Sequence, residues 1–368
     1  MKITDVSLDS YRWPRNKPIR NGRYTYPNSG IDVVEVKTDN NITGIGLAGA
    51  LHDEPSIGPA ILKHLKQYVL DQDPFDTEKI WSDMWQPKLI GRRGIATRVI
   101  SGIDIALWDI KGKATGQPLY KLLGGFTSSM PVYIAGGYYE ENKTLNDLAE
   151  EMCVAVGMGT NAIKMKIGGA PINEDVERVS VVRDAVGPNI KLMVDANCAY
   201  RFYEAIEIAR KLEKYDIYWF EEPVNPDDYQ GHKMVSESTS IPIATGENEY
   251  TRYGFRDLIK DRCVAIVQPD ATVMGGITEY MKVAAMAQAH DMPVAPHGNQ
   301  DLHIHLAAAI PNGLILEYYT SAFDPMWNKM FTNVLRIQDG QVSPPDRPGL
   351  GIDLNKDALA RYHVGPKT

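Results

Sequence analysis

The rhythm of hydrophobic and polar positions changes twice along this chain. Residues 2–12, 33–38 and 43–48 alternate apolar and polar, the period of a strand with one covered face, and Asp39-Asn40-Asn41 supplies a turn between the last two. They predict an antiparallel meander. Residues 13–27, between the first two, are rich in proline, glycine and polar groups and read as a long mobile loop. The spacing then turns helical over 56–68, 77–85 and 95–112, most clearly at Ile100, Ile103, Leu107 and Ile110. Asp104 and Asp109 on the last helix read as capping residues or as an interdomain ion pair. Leu122-Leu123-Gly124-Gly125 closes this helical segment.

From 132 to 319 short apolar runs alternate with helical stretches such as 174–185, 203–212 and 279–289, which predicts a parallel sheet with helical crossovers. After the run at 132–135, each run ends in charge: Ile163-Lys164-Met165-Lys166, Leu192-Met193-Val194-Asp195, Tyr218-Trp219-Phe220-Glu221, Ile243-Ala244-Thr245-Gly246-Glu247, Ile266-Val267-Gln268-Pro269-Asp270, Val294-Ala295-Pro296-His297 and Leu314-Ile315-Leu316-Glu317. One such run alone is an ordinary buried strand meeting its loop. In series they favour a closed βα barrel over an open sheet, and a barrel brings the carboxyl ends of all its strands to one mouth. Residues 334–353 return to alternation and are expected to fold back onto the first domain. The expected division is a capping domain over 1–125, a barrel over 126–320 and a returning tail over 321–368.

Composition narrows the function. At 368 residues, 43% hydrophobic and 23% charged, the chain is long enough for two folded domains, and its net charge of −8 offers no basic face to nucleic acid or to an anionic membrane. Cys153, Cys198 and Cys263 form no C-x-x-C pair, so neither a disulfide framework nor a structural zinc site is expected, and a reducing cytoplasm fits. No apolar signal core or run of membrane-spanning length occurs. No G-x-G-x-x-G follows a strand, and Gly168-Gly169 and Gly275-Gly276 lack a P-loop lysine, which leaves a nucleotide cofactor unsupported. Small molecules are the expected partners.

The ladder of strand ends supplies the chemistry. Asp195, Glu221 and Glu247 would converge from three consecutive strands and repel unless a cation offsets them, and an oxygen-only set suits Mg²⁺ better than zinc. Three separate salt bridges to barrel lysines are the plain alternative. Lys164 and Lys166 leave the same face of one strand, and two ammonium groups near a cation are expected to lower one another's pKa, towards that of a general base. Asp270 and His297 end neighbouring strands, so the carboxylate would orient the imidazole, although a strand-end histidine is often structural. Glu317 would either donate a hydrogen bond, if protonated, or pair with a lysine.

These residues give the chain a resemblance to the enolase superfamily, and within it to the mandelate racemase subgroup. The motifs that carry it are Lys164-Met165-Lys166, Asp195-Ala196-Asn197, Glu221-Glu222-Pro223, Gly246-Glu247-Asn248, the Asp270 and His297 pair, and Glu317. The superfamily is a familiar case of a Lys or His base working with Mg²⁺ on an enediolate. The resemblance implies a modified (β/α)7β barrel with an α+β cap built from the N-terminal segment and the C-terminal tail. By it Asp195, Glu221 and Glu247 bind Mg²⁺, Lys164 neutralises a substrate carboxylate, Lys166 and the His297–Asp270 dyad are bases on opposite faces, Glu317 polarises the carboxylate, and Asn197 touches the substrate. The Asp270 and His297 pair sets the chain apart from relatives of muconate cycloisomerase, which carry a lysine at the sixth strand. Family members are commonly dimers or octamers, so a homo-oligomer is expected.

The subgroup contains sugar-acid dehydratases, α-hydroxyacid racemases and lactone cycloisomerases. The segment 13–27 carries Arg15, Lys17, Arg20, Arg23, Tyr24 and Tyr26, and His52 follows in a second loop. As a lid these would meet hydroxyls or a second carboxylate, with Arg20, Arg23, Tyr24 and His52 as candidate contacts; as a solvated charge run they would meet nothing. The polar lid favours a dehydratase of an aldonate or aldarate, with racemase or cycloisomerase second. A catalytically idle metal-binding sensor on the same scaffold is the reading from another class.

Overall fold

The structure is a computed structural model that describes residues 1–366 except Ala322 and Pro325. Parts of the 321–368 tail thus lie outside the described residues.

An antiparallel sheet covers one end of the molecule in the order β12-β1-β2-β3, where β1 is Ile3–Arg20, β2 Thr25–Thr38, β3 Thr43–Ala48 and β12 His363–Val364. The barrel follows as β4 Met130–Gly136, β5 Ala162–Lys166, β6 Lys191–Asp195, β7 Ile217–Glu221, β8 Ile243–Thr245, β9 Ile266–Val267 and β10 Leu316–Tyr318, paired parallel with one another. Val294 bridges Val267 on one side and Gly313 on the other, while β10 pairs β4, so the sheet wraps round and closes. Period-two alternation sorts its side chains. Tyr133, Ala135, Ala162, Met193, Trp219, Ala244, Ile266, Ala295 and Ile315 pack together inside the barrel, while Ile163, Leu192, Val194, Phe220, Ile243 and Val267 pack outward under the helices.

Three expectations are corrected. Residues 13–27 are not a mobile loop: β1 and β2 run on as one long ribbon that turns at Asn21-Gly22. Pro14 and Pro18 fall where the pairing slips between Pro14 and Ile19, so their missing N–H groups cost no ladder bond, and Trp13 is buried with its indole N–H on Asp324. The strands expected to reach Glu247, Asp270 and His297 stop short, since Gly246 turns away at φ 142° and Pro269 and Pro296 have no N–H to donate. In the tail, the only strand within 334–353 is β11 Gln341–Val342, which pairs with barrel strand β4 instead of the cap. Contact with the cap comes from Leu350, whose N–H donates to Asp109, and from β12 beside β1.

Asp104 and Asp109 tie the units together. Asp104 accepts from the amide and hydroxyl of Thr278 on a barrel helix, and Asp109 from the amides of Ile45 and Leu350. His305 is a second tie: its Nε2–H donates to Leu350 O at 2.9 Å and its Nδ1 accepts from Tyr120 N–H at 3.3 Å, so the ring is neutral. Burial pushes its pKa down to about 4. The unfolded chain takes up that proton near pH 6.5 and the folded chain refuses it until about pH 4, so stability is lost as pH falls through this window. The loss should reach about 3 kcal/mol. His305→Gln keeps a donor for Leu350 and is expected to abolish that share of the acid sensitivity, read as the difference in denaturant unfolding between parent and variant at pH 7 and pH 4.

Candidate active site

Strand register assembles the charged groups. Lys166 lies opposite Asp195, and Asp195 opposite Glu221, so one rung across β5, β6 and β7 carries a lysine and two carboxylates into the mouth. Glu247 arrives from the turn after β8. One oxygen of each of Asp195, Glu221 and Glu247 lies within 4.8 Å of the others. The donors are all oxygen, and Oε2 of Glu247 is buried without a hydrogen-bond partner, so the set fits a hard divalent cation such as Mg²⁺.

The lysines sit among these carboxylates. Lys164 is paired with Glu221 Oε1 at 2.5 Å and Glu317 Oε1 at 2.8 Å, and Lys166 with Asp195 Oδ2. The depression of their pKa was expected beside a cation, and the protein's own side chains act in the other direction. Burial disfavours the ammonium on Lys166, but Asp195, Tyr138 and Glu247 together outweigh burial and the like charge of Lys164 and hold the pKa above its usual value; Glu221 and Glu317, with Tyr133 and Asp195, do the same for Lys164. Burial likewise opposes the charge on Asp195, yet Lys166 and Lys164 bring it down to about 2. Of the alternatives for Glu317, the ion pair is the one found, and its second oxygen accepts from Gly298 N–H at 2.7 Å.

Across the mouth, His297 Nδ1 lies 3.0 Å from Asp270 Oδ2, and its Nε2 faces Glu247 at 3.4 Å and Glu317 at 4.0 Å. Burial works against the imidazolium, but Glu247, Asp270 and Glu317 hold its pKa well above the ordinary histidine value. The other oxygen of Asp270 accepts from the amide and hydroxyl of Thr272, which fixes the carboxylate. Asn197 joins the site in a left-handed conformation, φ 43°, its N–H on Asp195 Oδ1 and its own Oδ1 buried without a partner.

The lid candidates divide differently from expectation. Arg20 is committed to the protein: its guanidinium donates to Gly169 O at 2.8 Å and lies over the Tyr139 ring, while its backbone pairs with Tyr139. The hairpin tip is docked: a Cβ at Gly22 would lie 2.5 Å from Ala196 O, the residue next to Asp195. Arg23 and Tyr24 are exposed, the guanidinium over the ring. His52 is tied to Asp32 at 2.9 Å.

Trp219 and Gln268 carried no expected role, and Tyr26 was expected only as part of the polar lid. Trp219 and Gln268 donate to Glu221 Oε2 at 2.9 and 2.7 Å, so both of its oxygens are engaged; each is two positions from a strand-end charge, the spacing that faces a side chain into the barrel. Tyr26 accepts from Asn21 Nδ2 at 3.0 Å, leaving its own O–H to donate. Burial raises its pKa, and Lys166, Tyr138 and Glu247 are close enough to act on it.

A parallel barrel with an oxygen cation site between an amine and a partly exposed imidazole paired with a buried carboxylate belongs to the class of enzymes that move a proton beside a carboxylate. Residues 3–124 match the model of the mandelate racemase / muconate lactonizing enzyme N-terminal domain, and 145–358 that of the enolase C-terminal domain-like family. The chain belongs to this family. It is 39% identical to an arabinonate dehydratase of Saccharolobus solfataricus, over 90% of each chain, and 37% identical to a 3,6-anhydro-alpha-L-galactonate cycloisomerase of Streptomyces coelicolor, over 99% of this chain and 100% of that protein. Among solved structures it superposes with TM-score 0.92 on a racemase from Streptomyces coelicolor with bound magnesium, at 33% identity and covering 98% and 100% of the two chains.

Proposed function

We propose that the protein is a Mg²⁺-dependent dehydratase of sugar acids, releasing 2-keto-3-deoxy acids. The observation that carries this reading is the pair of proton-transfer groups, Lys166 and His297, on either side of the carboxylate cluster, with the polar groups of Tyr26 and Asn197 beside it. Asp195, Glu221 and Glu247 would hold the ion, which when bound supplies fixed positive charge against the charge that develops on the substrate carboxylate. Lys164 meets that carboxylate.

Lys166 takes the α-proton. The electron pair released from the Cα–H bond forms the Cα–Cβ double bond as the β-hydroxyl departs with a proton from His297, and the enol product tautomerises to the ketone. Asp270 orients the imidazole and stabilises its charged form. Asp195 is engaged with Lys166 in the ion pair described above; as a ligand of the ion it would share that carboxylate's charge, and Lys166 would then be held less firmly as the ammonium and could serve as the base.

The O–H of Tyr26 and the unpartnered Oδ1 of Asn197 suit hydroxyls, which favours dehydration of a polyhydroxy acid. A panel of aldonates and aldarates, arabinonate among them, incubated with the Mg²⁺-loaded protein is expected to give a 2-keto-3-deoxy acid from at least one member, detected by its semicarbazone. Interconversion of epimers, or ring opening of an anhydro sugar acid, without keto acid from any member would replace the dehydratase reading by an isomerase one.

A further inference from the structure

His303 is wholly buried, lies outside the carboxylate cluster, and has no part in the proton transfers above. Its place is nevertheless specific. Asp270 and His297 both lie beyond the last regular pairing of their strands, β9 ending at Val267 and the next strand making only the bridge at Val294. The last short ladder bond, Ala295 N–H to Val267 O at 3.0 Å, lies before both residues; beyond it Pro269 and Pro296 deprive the loops of ladder donors, and His297 N–H to Pro269 O is long at 3.4 Å. The sheet therefore does little to hold the 3.0 Å contact of the dyad.

His303 spans this gap. From the first turn of the helix Gln300–Ala309, its Nε2 accepts from Ala271 N–H at 3.0 Å, and its Nδ1–H donates to Gly298 O at 2.7 Å. Ala271 directly follows Asp270, and Gly298 directly follows His297. Because Nε2 accepts, the proton resides on Nδ1, so both bonds require the one neutral tautomer. The ring is stacked on Tyr280, their centroids 6.1 Å apart, which fixes its plane. We infer that His303 is the positioning residue of the Asp270–His297 dyad, clasping the two loops that carry it at the spacing proton transfer requires. This rests on reading that pair as a working dyad.

The test needs no substrate. In Mg²⁺-loaded protein labelled with ¹⁵N-histidine, the Nδ1–H of His297 held on Asp270 should give a downfield, slowly exchanging proton resonance, assigned by its loss in His297→Asn. In His303→Leu, which removes both clasping bonds, the resonance is expected to disappear or to exchange with solvent at least about tenfold faster. His303→Gln, which keeps an acceptor for Ala271 only, should show a smaller acceleration and serves if the leucine variant does not fold. His305→Gln, on the same helix and equally buried, should leave the resonance in place, which separates positioning from general loosening. An unchanged resonance and exchange rate in both His303 variants would overturn the role of His303 alone, whereas its absence from the parent protein would overturn the dyad and this role with it.

Discussion

Glu247→Gln is expected to lower turnover by about 10³-fold or more and to remove the response of the melting temperature to Mg²⁺, while leaving the fold of the chelated protein intact. The three cation ligands are unequal. Asp195 and Glu221 have lysine partners, whereas Glu247 has only a long contact from Asn248 at 3.4 Å and the imidazole of His297 at the same distance. Repulsion among the carboxylates is thus relieved by close lysines at two positions and at the third only by the imidazolium at 3.4 Å. Taking the negative charge from Glu247 removes repulsion and that longer pairing together, so the metal-free protein should be about as stable as before and the cost should fall on cation affinity. In the parent, Mg²⁺ at 100 times its dissociation constant adds about 2.7 kcal/mol, a rise of a few degrees in melting temperature. A variant stabilised by Mg²⁺ as much as the parent, or one that still turns over, would remove Glu247 from the ligand set.

What could be read from the chain beforehand follows from the range of the forces involved. The barrel and its charged mouth were legible because a strand end is a local pattern and barrel closure converts a repeated local pattern into convergence, as Lys166, Asp195 and Glu221 on one rung illustrate. The hairpin from Ile3 to Thr38 was legible too but misread. Asn21-Gly22 is a strong short-range turn signal, and Asn21 Oδ1 accepts from the amides of Arg23 and Tyr24, but the prolines around it suggested irregular chain. Other features depend on distant partners. The commitment of Arg20 depends on Gly169 and Tyr139, well over a hundred positions away, and no local pattern records that. The raised pKa of Lys166 was likewise out of reach: its spacing from Lys164 is a local fact, whereas the Asp195 oxygen that outweighs that neighbour belongs to another strand.

The same opposition of lysine and imidazole across the mouth leads to an unequal outcome for the two proton-transfer groups. Lys166→Met should abolish both exchange of the substrate α-proton and dehydration, by about 10²- to 10⁴-fold, because no other base faces that side of the carboxylate cluster among the residues brought together here. His297→Asn keeps much of the volume but removes the acid. In D₂O it should still wash deuterium into the α-position, since Lys166 can remove and return that proton, while dehydration falls by a similar factor because the β-hydroxyl leaves without a proton donor. Asp270→Asn should resemble His297→Asn more weakly: the ring remains, but the charge that orients it and holds its pKa up at a 3.0 Å contact is gone. For a racemase the pattern differs, each single variant exchanging one enantiomer without interconverting the pair. Proton NMR of the α-position in D₂O, with both epimers of an acid sugar that the parent enzyme turns over, separates these cases, and full dehydration by His297→Asn would refute this division of labour.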